Sequence, residues 1–184
     1  MVKKNVVQTK PINLSKGYSL QERKAIAQDF IDYIVDRTRK GKGKGGKDWR
    51  KGSKKNPGPG RYSESYKKSF EFKAKTSKGK VTLELFGDML SSIEKLPSGS
   101  SEVIVGVPKG DADNAKAEGN ILGSYGGKPN KKKARPFLDM TKSEINKILR
   151  PYRNKKTTEE RVAAFAAAKK LAAFAAANES VDEV

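Results

Sequence analysis

Glu102-Val103-Ile104-Val105-Gly106-Val107 is the stretch that decides the fold, because Val103, Val105 and Val107 recur at every second position and fall on one face of an extended chain. Pro97-Ser98-Gly99-Ser100 before it and Pro108-Lys109-Gly110 after it are turn sequences, so the stretch reads as a bounded strand. A strand with one apolar face needs partner strands and a covering layer. Upstream, Phe70, Phe72 and Ala74 alternate with Glu71, Lys73 and Lys75. Beyond the turn Ser77-Lys78-Gly79, Val81, Leu83 and Leu85 alternate with Thr82, Glu84 and Phe86. These two runs predict a β-hairpin and, with the third strand, an antiparallel sheet of three to four strands.

The covering layer is legible from two helix starts. In Ser19-Leu20-Gln21-Glu22 the Ser hydroxyl can accept from the Glu22 N–H while the Glu carboxylate reaches back, a capping box. Ala27, Phe30, Ile31, Ile34 and Val35 then recur three and four apart on one face, predicting a helix that ends near 37–40. Thr141-Lys142-Ser143-Glu144 repeats the capping pattern, and Ile145, Ile148 and Leu149 carry a second helix as far as Pro151, which lacks the N–H to continue. Helices packed on a small antiparallel sheet make the fold class α+β.

Around this body lie segments of other character. Residues 1–18 hold no lasting period and read as an extended N-terminal arm; 19–151 read as the α+β domain, and 152–184 as an Ala-rich helix with an acidic tail. Residues 40–61 are rich in Lys, Gly and Pro and read as a flexible basic loop, whose Lys42, Lys44, Lys47, Arg50, Lys51, Lys54 and Lys55 are candidates for contact with DNA or an acidic partner. Trp49 among these cations either stacks on a base or anchors the loop on the body. Near the C-terminus, Val162 to Ala168 is nearly repeated at Leu171 to Ala177, offset by nine residues. At about 100° per residue, that offset places Phe165 and Phe174 on opposite sides of one helix. Phe165, Leu171 and Phe174 are therefore candidates for contact with two different bodies, such as adjacent copies in a ring; the other reading is a tail helix of high intrinsic propensity, partly exposed.

Composition narrows the chemistry. The 184-residue chain has 40 Lys and Arg against 21 Asp and Glu, a formal charge of +19, which favours polyanionic or acidic partners. It has no Cys and no His, which excludes a Ser-His-Asp triad, a Cys-His pair and thiolate or imidazole zinc sites. The glycines of 41–60 lack the strand, the Gly-Lys-Ser/Thr ending and the helix of a phosphate-cradling loop. Asp111 and Asp113 lack the spaced ligands of a calcium loop and read as a solvated turn. Met1 to Gln8 has no secretory apolar run, and no stretch approaches the roughly 20 apolar residues of a membrane span. A soluble, non-enzymatic protein made in a cytoplasm, with no cofactor, no metal and no membrane, is expected.

Two separated blocks are the most specific features. In the first, a strand-like run enters Gly87-Asp88-Met89-Leu90, where Gly87 permits a sharp turn, Asp88 can cap the following N–H groups, and Met89, Leu90 and Ile93 return to the core. The second is Ala117-Glu118-Gly119-Asn120-Ile121-Leu122-Gly123-Ser124-Tyr125-Gly126, followed by Ala134-Arg135-Pro136-Phe137-Leu138-Asp139-Met140 leading into the capped helix. With Tyr62-Ser63-Glu64-Ser65-Tyr66 ahead of them, these blocks resemble, in order and spacing over about residues 20–150, the neck or tail-completion (virion morphogenesis) proteins of tailed bacteriophages.

The resemblance implies a virion structural subunit, assembled in the host cytoplasm into a ring of copies, a hexamer first and a dodecamer second. That ring would join portal, adaptor or head-completion proteins on one side to a tail terminator or tail tube on the other, around the DNA channel. Within it, Arg135, Pro136 and Phe137 are candidates for a subunit or partner interface, Arg135 reaching a carboxylate of the adjoining subunit and Pro136 and Phe137 setting the entry to the helix; the other reading has Phe137 and Leu138 close the domain's own core. The alternative is a basic nucleic-acid-binding protein that uses the Lys/Gly-rich loop.

Overall fold

The computed structural model describes residues 7–14, 18–49, 59–74, 81–83, 88–124 and 128–153, together with Ala163, Ala166 and Ala167. In chain order the elements are β1 (Ile12–Asn13), α1 (Leu20–Arg39), α2 (Glu64–Lys67), α3 (Phe70–Ala74), α4 (Asp88–Ser91), β2 (Glu94–Leu96), β3 (Glu102–Gly106), α5 (Asn114–Leu122) and α6 (Lys142–Arg153). The fold is α+β, with a three-stranded sheet in the order β1-β3-β2, antiparallel throughout.

The valine stretch is the centre of that sheet. β3 is the middle strand, and Val103, Val105 and Val107 are fully buried beneath Ile26, Phe30 and Ile34 of α1. On one side β3 forms a hairpin with β2, pairing Glu94 with Gly106 and Leu96 with Ile104. On the other side it pairs with the N-terminal segment, Ile12 opposite Val103 and Gln8 opposite Gly106. From Gln8 to Ile12 the segment advances four residues while β3 advances three, so it carries one extra residue, a bulge beside Pro11, which has no N–H to donate. Thr9 bridges the irregularity: its N–H donates to the Val105 carbonyl at 2.8 Å and its hydroxyl accepts from the Val105 N–H at 3.2 Å.

Residues 7–14, expected as part of an arm, are thus a sheet edge of this same body, and Val7, Ile12 and Leu14 are buried in its core. The first strand of the hairpin expected over 70–86 is also corrected, while its turn at 75–80 and its end at 84–86 lie outside the described residues. Residues 70–74 form α3, started by Ser69, whose hydroxyl accepts from the Phe72 N–H at 3.2 Å and whose carbonyl accepts from the Lys73 N–H. Residues 81–83 lie in no strand, and Leu83 takes a left-handed φ of 57°, which ends an extended run. The sheet's hairpin is β2–β3 instead.

Both capping boxes form as the sequence predicts. Ser19 and Glu22 exchange hydrogen bonds of 2.7 and 3.2 Å at the start of α1, and Thr141 and Glu144 do so at the start of α6. α6 passes through Pro151 to Arg153, beyond the predicted stop. The reason is tertiary: Tyr152 is fully buried and its hydroxyl donates to Asp29 of α1 at 2.7 Å, an anchor that outweighs one missing backbone bond.

Candidate functional site

The basic loop is more built than its composition suggests. Gly43 donates to the Lys47 carbonyl at 2.8 Å, Gly46 donates to Gly43, and Lys42 bridges Asp48, so 42–48 close into a tight turn around the 3-10 segment Lys44–Gly46. Gly45 and Gly46 hold φ of 71° and 68°, which glycine adopts without strain. Trp49 anchors the turn: it is only 9% exposed, belongs to the core, and lies so close over Gly43 that a Cβ there would meet its ring. The anchoring reading of Trp49 holds for the free chain, and its ring is not displayed for stacking. Lys44 and Lys47 are exposed and Lys42 half-exposed.

The Trp49 backbone also packs against Gly60, where any Cβ would collide with the Trp49 carbonyl. Beside it, Arg135 Nε donates to the Pro59 carbonyl at 2.6 Å and Nη1 to Asn120 Oδ1 at 3.3 Å. Arg135 is 8% exposed, and burial lowers its pKa from 12.5 to about 10, which leaves it charged at neutral pH. Within its own chain the Arg135 guanidinium is turned inward and ties 59–60 to α5 instead of standing on the surface expected of a subunit contact. Of the two readings of Phe137, the structure has the one that closes the core: Phe137 and Leu138 are buried in the domain's own interior, and Pro136 is half-buried.

A second basic turn follows α5. The helix ends at Gly123 in the left-handed conformation, φ 67°, and the chain folds back so that Asn130 donates to the Leu122 carbonyl at 3.0 Å. The Asn130 side chain accepts from the Lys132 N–H at 3.0 Å, and its carbonyl accepts from Lys133 and Ala134. Lys131, Lys132 and Lys133 stand exposed on this turn.

Tyr62, Tyr66 and Phe72 pack on one another with ring centroids 5.3 to 5.7 Å apart, which ties α2 to α3. Burial raises the Tyr62 hydroxyl to about 12. Phe70, at 79% exposure, is bare on α3. In the Gly-Asp block, Met89, Leu90 and Ile93 return to the core as predicted. Asp113 holds Ser92 at 3.0 Å and Lys116 at 2.6 Å, and the Lys116 bond lowers its pKa. Gly87, Arg50, Lys51, Lys54, Lys55, Phe165, Leu171 and Phe174 lie outside the described residues, as does the Asp88 side chain.

The feature that sequence reasoning missed is the polar knot under the turn at 42–48. Glu144 Oε1 accepts from Arg37 at 2.9 Å and from the Tyr33 hydroxyl at 2.8 Å, while Oε2 accepts from the Gly45 N–H at 3.0 Å. Only the capping partner of Glu144 could have been found from local sequence. Among the described residues, no group of three or more Asp and Glu could hold a metal ion, and no helix is long and apolar enough to cross a membrane. The arrangement presents positive charge on two turns closed by their own hydrogen bonds. Comparisons with protein-family models, with curated proteins and with solved structures find no match to this chain.

Proposed function

We propose that the chain is a structural subunit of a tailed-bacteriophage head-tail connector, a neck or tail-completion protein that works as one copy in a ring around the DNA channel. The observation that carries this reading is the ordered set of blocks at 62–66, 83–90, 102–107, 119–126 and 135–138, whose order and spacing resemble those of that family. Burial of Met89, Leu90, Val103, Val105, Phe137 and Leu138 in one core supports treating the blocks as parts of one domain. The bare Phe70 and the charge of +19 are surface features that suit a protein completed by neighbours.

In this reading the chain's work is mechanical: it holds a rigid α+β body between unlike partners, and its long basic and Ala-rich segments reach them. Co-expression with the portal and adaptor proteins of the same phage, followed by negative-stain microscopy, tests it. A ring containing the chain is the expected result; a chain that stays monomeric beside a completed connector would overturn it.

A further inference from the structure

We propose that the turn at 42–47 and the turn at 131–133 form one composite surface that grips the phosphate backbone of duplex DNA. The two turns are far apart in sequence but are fixed to the same small scaffold. Trp49, which anchors the first, packs on Gly60; Arg135, two residues beyond the second, bonds to the Pro59 carbonyl at 2.6 Å. The Pro59–Gly60 turn thus holds both. Across 41–49 and 128–135 stand seven lysines and the buried Arg135 against a single acid, Asp48.

Two features separate this surface from an ordinary solvated face, the internal bonding of its turns and the footing of the first turn on α6. Each turn is built by its own backbone bonds: Gly43 with Lys47 in one, and Asn130 with Lys132, Lys133 and Ala134 in the other. Lys42, Lys44, Lys47, Lys131, Lys132 and Lys133 make no ion pair with any described residue, which they share with most described lysines, Lys40, Lys67 and Lys116 being the paired ones. Their charge is thus left to a partner. Finally, Gly45 stands on the buried Glu144, which fixes the first turn to α6.

The chemistry of the surface selects the partner. Lysines with no exposed aromatic among the described residues of the two turns suit sequence-independent contact with phosphates, not base reading or the stacking that single strands need. A protein partner would ask for an apolar anchor at the centre of the patch, and lysine is depleted from such centres. Trp49 lies beneath the surface and cannot supply that anchor. This inference deepens the connector reading by naming a face for the channel DNA, but its test requires no ring.

The test is duplex binding by the full chain, measured by fluorescence anisotropy at several salt concentrations with a duplex of about two helical turns. At about 0.9 per neutralised phosphate, six lysines give a slope of log K on log salt of about −5, roughly a thousandfold loss between 50 and 200 mM. Replacing Lys42, Lys44 and Lys47 with Ala is expected to make the slope shallower by about 3, and replacing Lys131, Lys132 and Lys133 to do the same. Lys24, Lys109 and Lys147, exposed elsewhere, replaced together serve as the control and should change it little. Circular dichroism confirms that each variant is folded.

An unchanged slope on removing 131–133, or an equal change in the control, would overturn the composite surface. So would tighter binding of a single strand of the same length, or displacement by polyglutamate at equal charge concentration. Sedimentation of the same samples reports assembly separately, so a failed surface and a failed connector are told apart.

Discussion

Arg37 and Glu144, 107 positions apart, form an ion pair of 2.9 Å whose side chains are 3% and 8% exposed. The pair joins the end of α1 to the start of α6, and each partner is satisfied further. Arg37 donates to the Phe137 and Asp139 carbonyls at 2.5 and 3.0 Å, and Glu144 accepts from Tyr33, Gly45 and Thr141. One carboxylate and one guanidinium therefore lock the Arg-Pro-Phe-Leu segment, both long helices and the first basic turn into a single arrangement.

Replacing Glu144 with Ala strands the Arg37 charge in the interior. We expect a loss of about 3–5 kcal/mol of unfolding free energy in urea titration, whereas the double variant Arg37→Met/Glu144→Leu should recover a large part of it. Equal losses in the single and double variants would show that the pair is not coupled.

The same carboxyl sets the acid limit of stability. Burial pushes Glu144 up, but the Thr141 N–H, the Tyr33 and Thr141 hydroxyls and the Arg37 guanidinium outweigh it and hold the group at about 2, below its ordinary 4.5. Between these values the unfolded chain binds the proton first, so the stabilisation is complete above about pH 4.5 and is lost as pH falls toward 2. Glu144→Gln should be less stable at neutral pH and flatter across that window. On the alkaline side, burial and the bond to Glu144 raise Tyr33 from 10 to about 12, so its contribution is present below pH 10 and lost as pH rises through 12.

Because Val7, Ile12 and Leu14 are core residues, deleting 1–14 removes three buried aliphatic side chains, each contributing about 1.5–3 kcal/mol. The truncated chain should lose its cooperative thermal transition. Gly106→Ala probes the same edge without deletion, since a Cβ there would strike the Val7 carbonyl and Gln8; a lowered melting temperature is expected, and an unaltered one would place the segment elsewhere.

Arg135→Met should lower stability by roughly 1–3 kcal/mol, as the Pro59 carbonyl loses its charged donor, while leaving any assembly of folded subunits intact. Sedimentation below the melting temperature checks it. Loss of assembly in a folded variant would return Arg135 to the subunit interface.

Trp49, the single tryptophan, should emit at the short wavelengths of a buried indole and should not be quenched when duplex DNA is added. Quenching on binding would restore the stacking reading.

How much of this was legible follows from the range of the forces involved. α1, α6 and β3 were readable because capping boxes and alternating valines are local signals. Phe70, Phe72 and Ala74 misled because period two over five residues also fits a short helix, and the Ser69 cap together with the Tyr62, Tyr66 and Phe72 packing decided for the helix. β2 and β1 were missed because Glu94-Lys95-Leu96 and Ile12-Asn13 carry almost no pattern and become strands only by pairing with β3. Glu144 was legible as a cap, but Arg37 as its partner was not. Lys131, Lys132 and Lys133 were visible as charge, but the tie of their turn to the first through Arg135, Pro59, Gly60 and Trp49 is one that no spacing announces.

The measurement that bears most directly on the central claim is a symmetry-resolved reconstruction of the neck of the phage particle. Density for this α+β body is expected, repeated around the channel between head and tail, with the lysines of 42–47 and 131–133 toward the DNA. A complete neck with no density for the chain would contradict it.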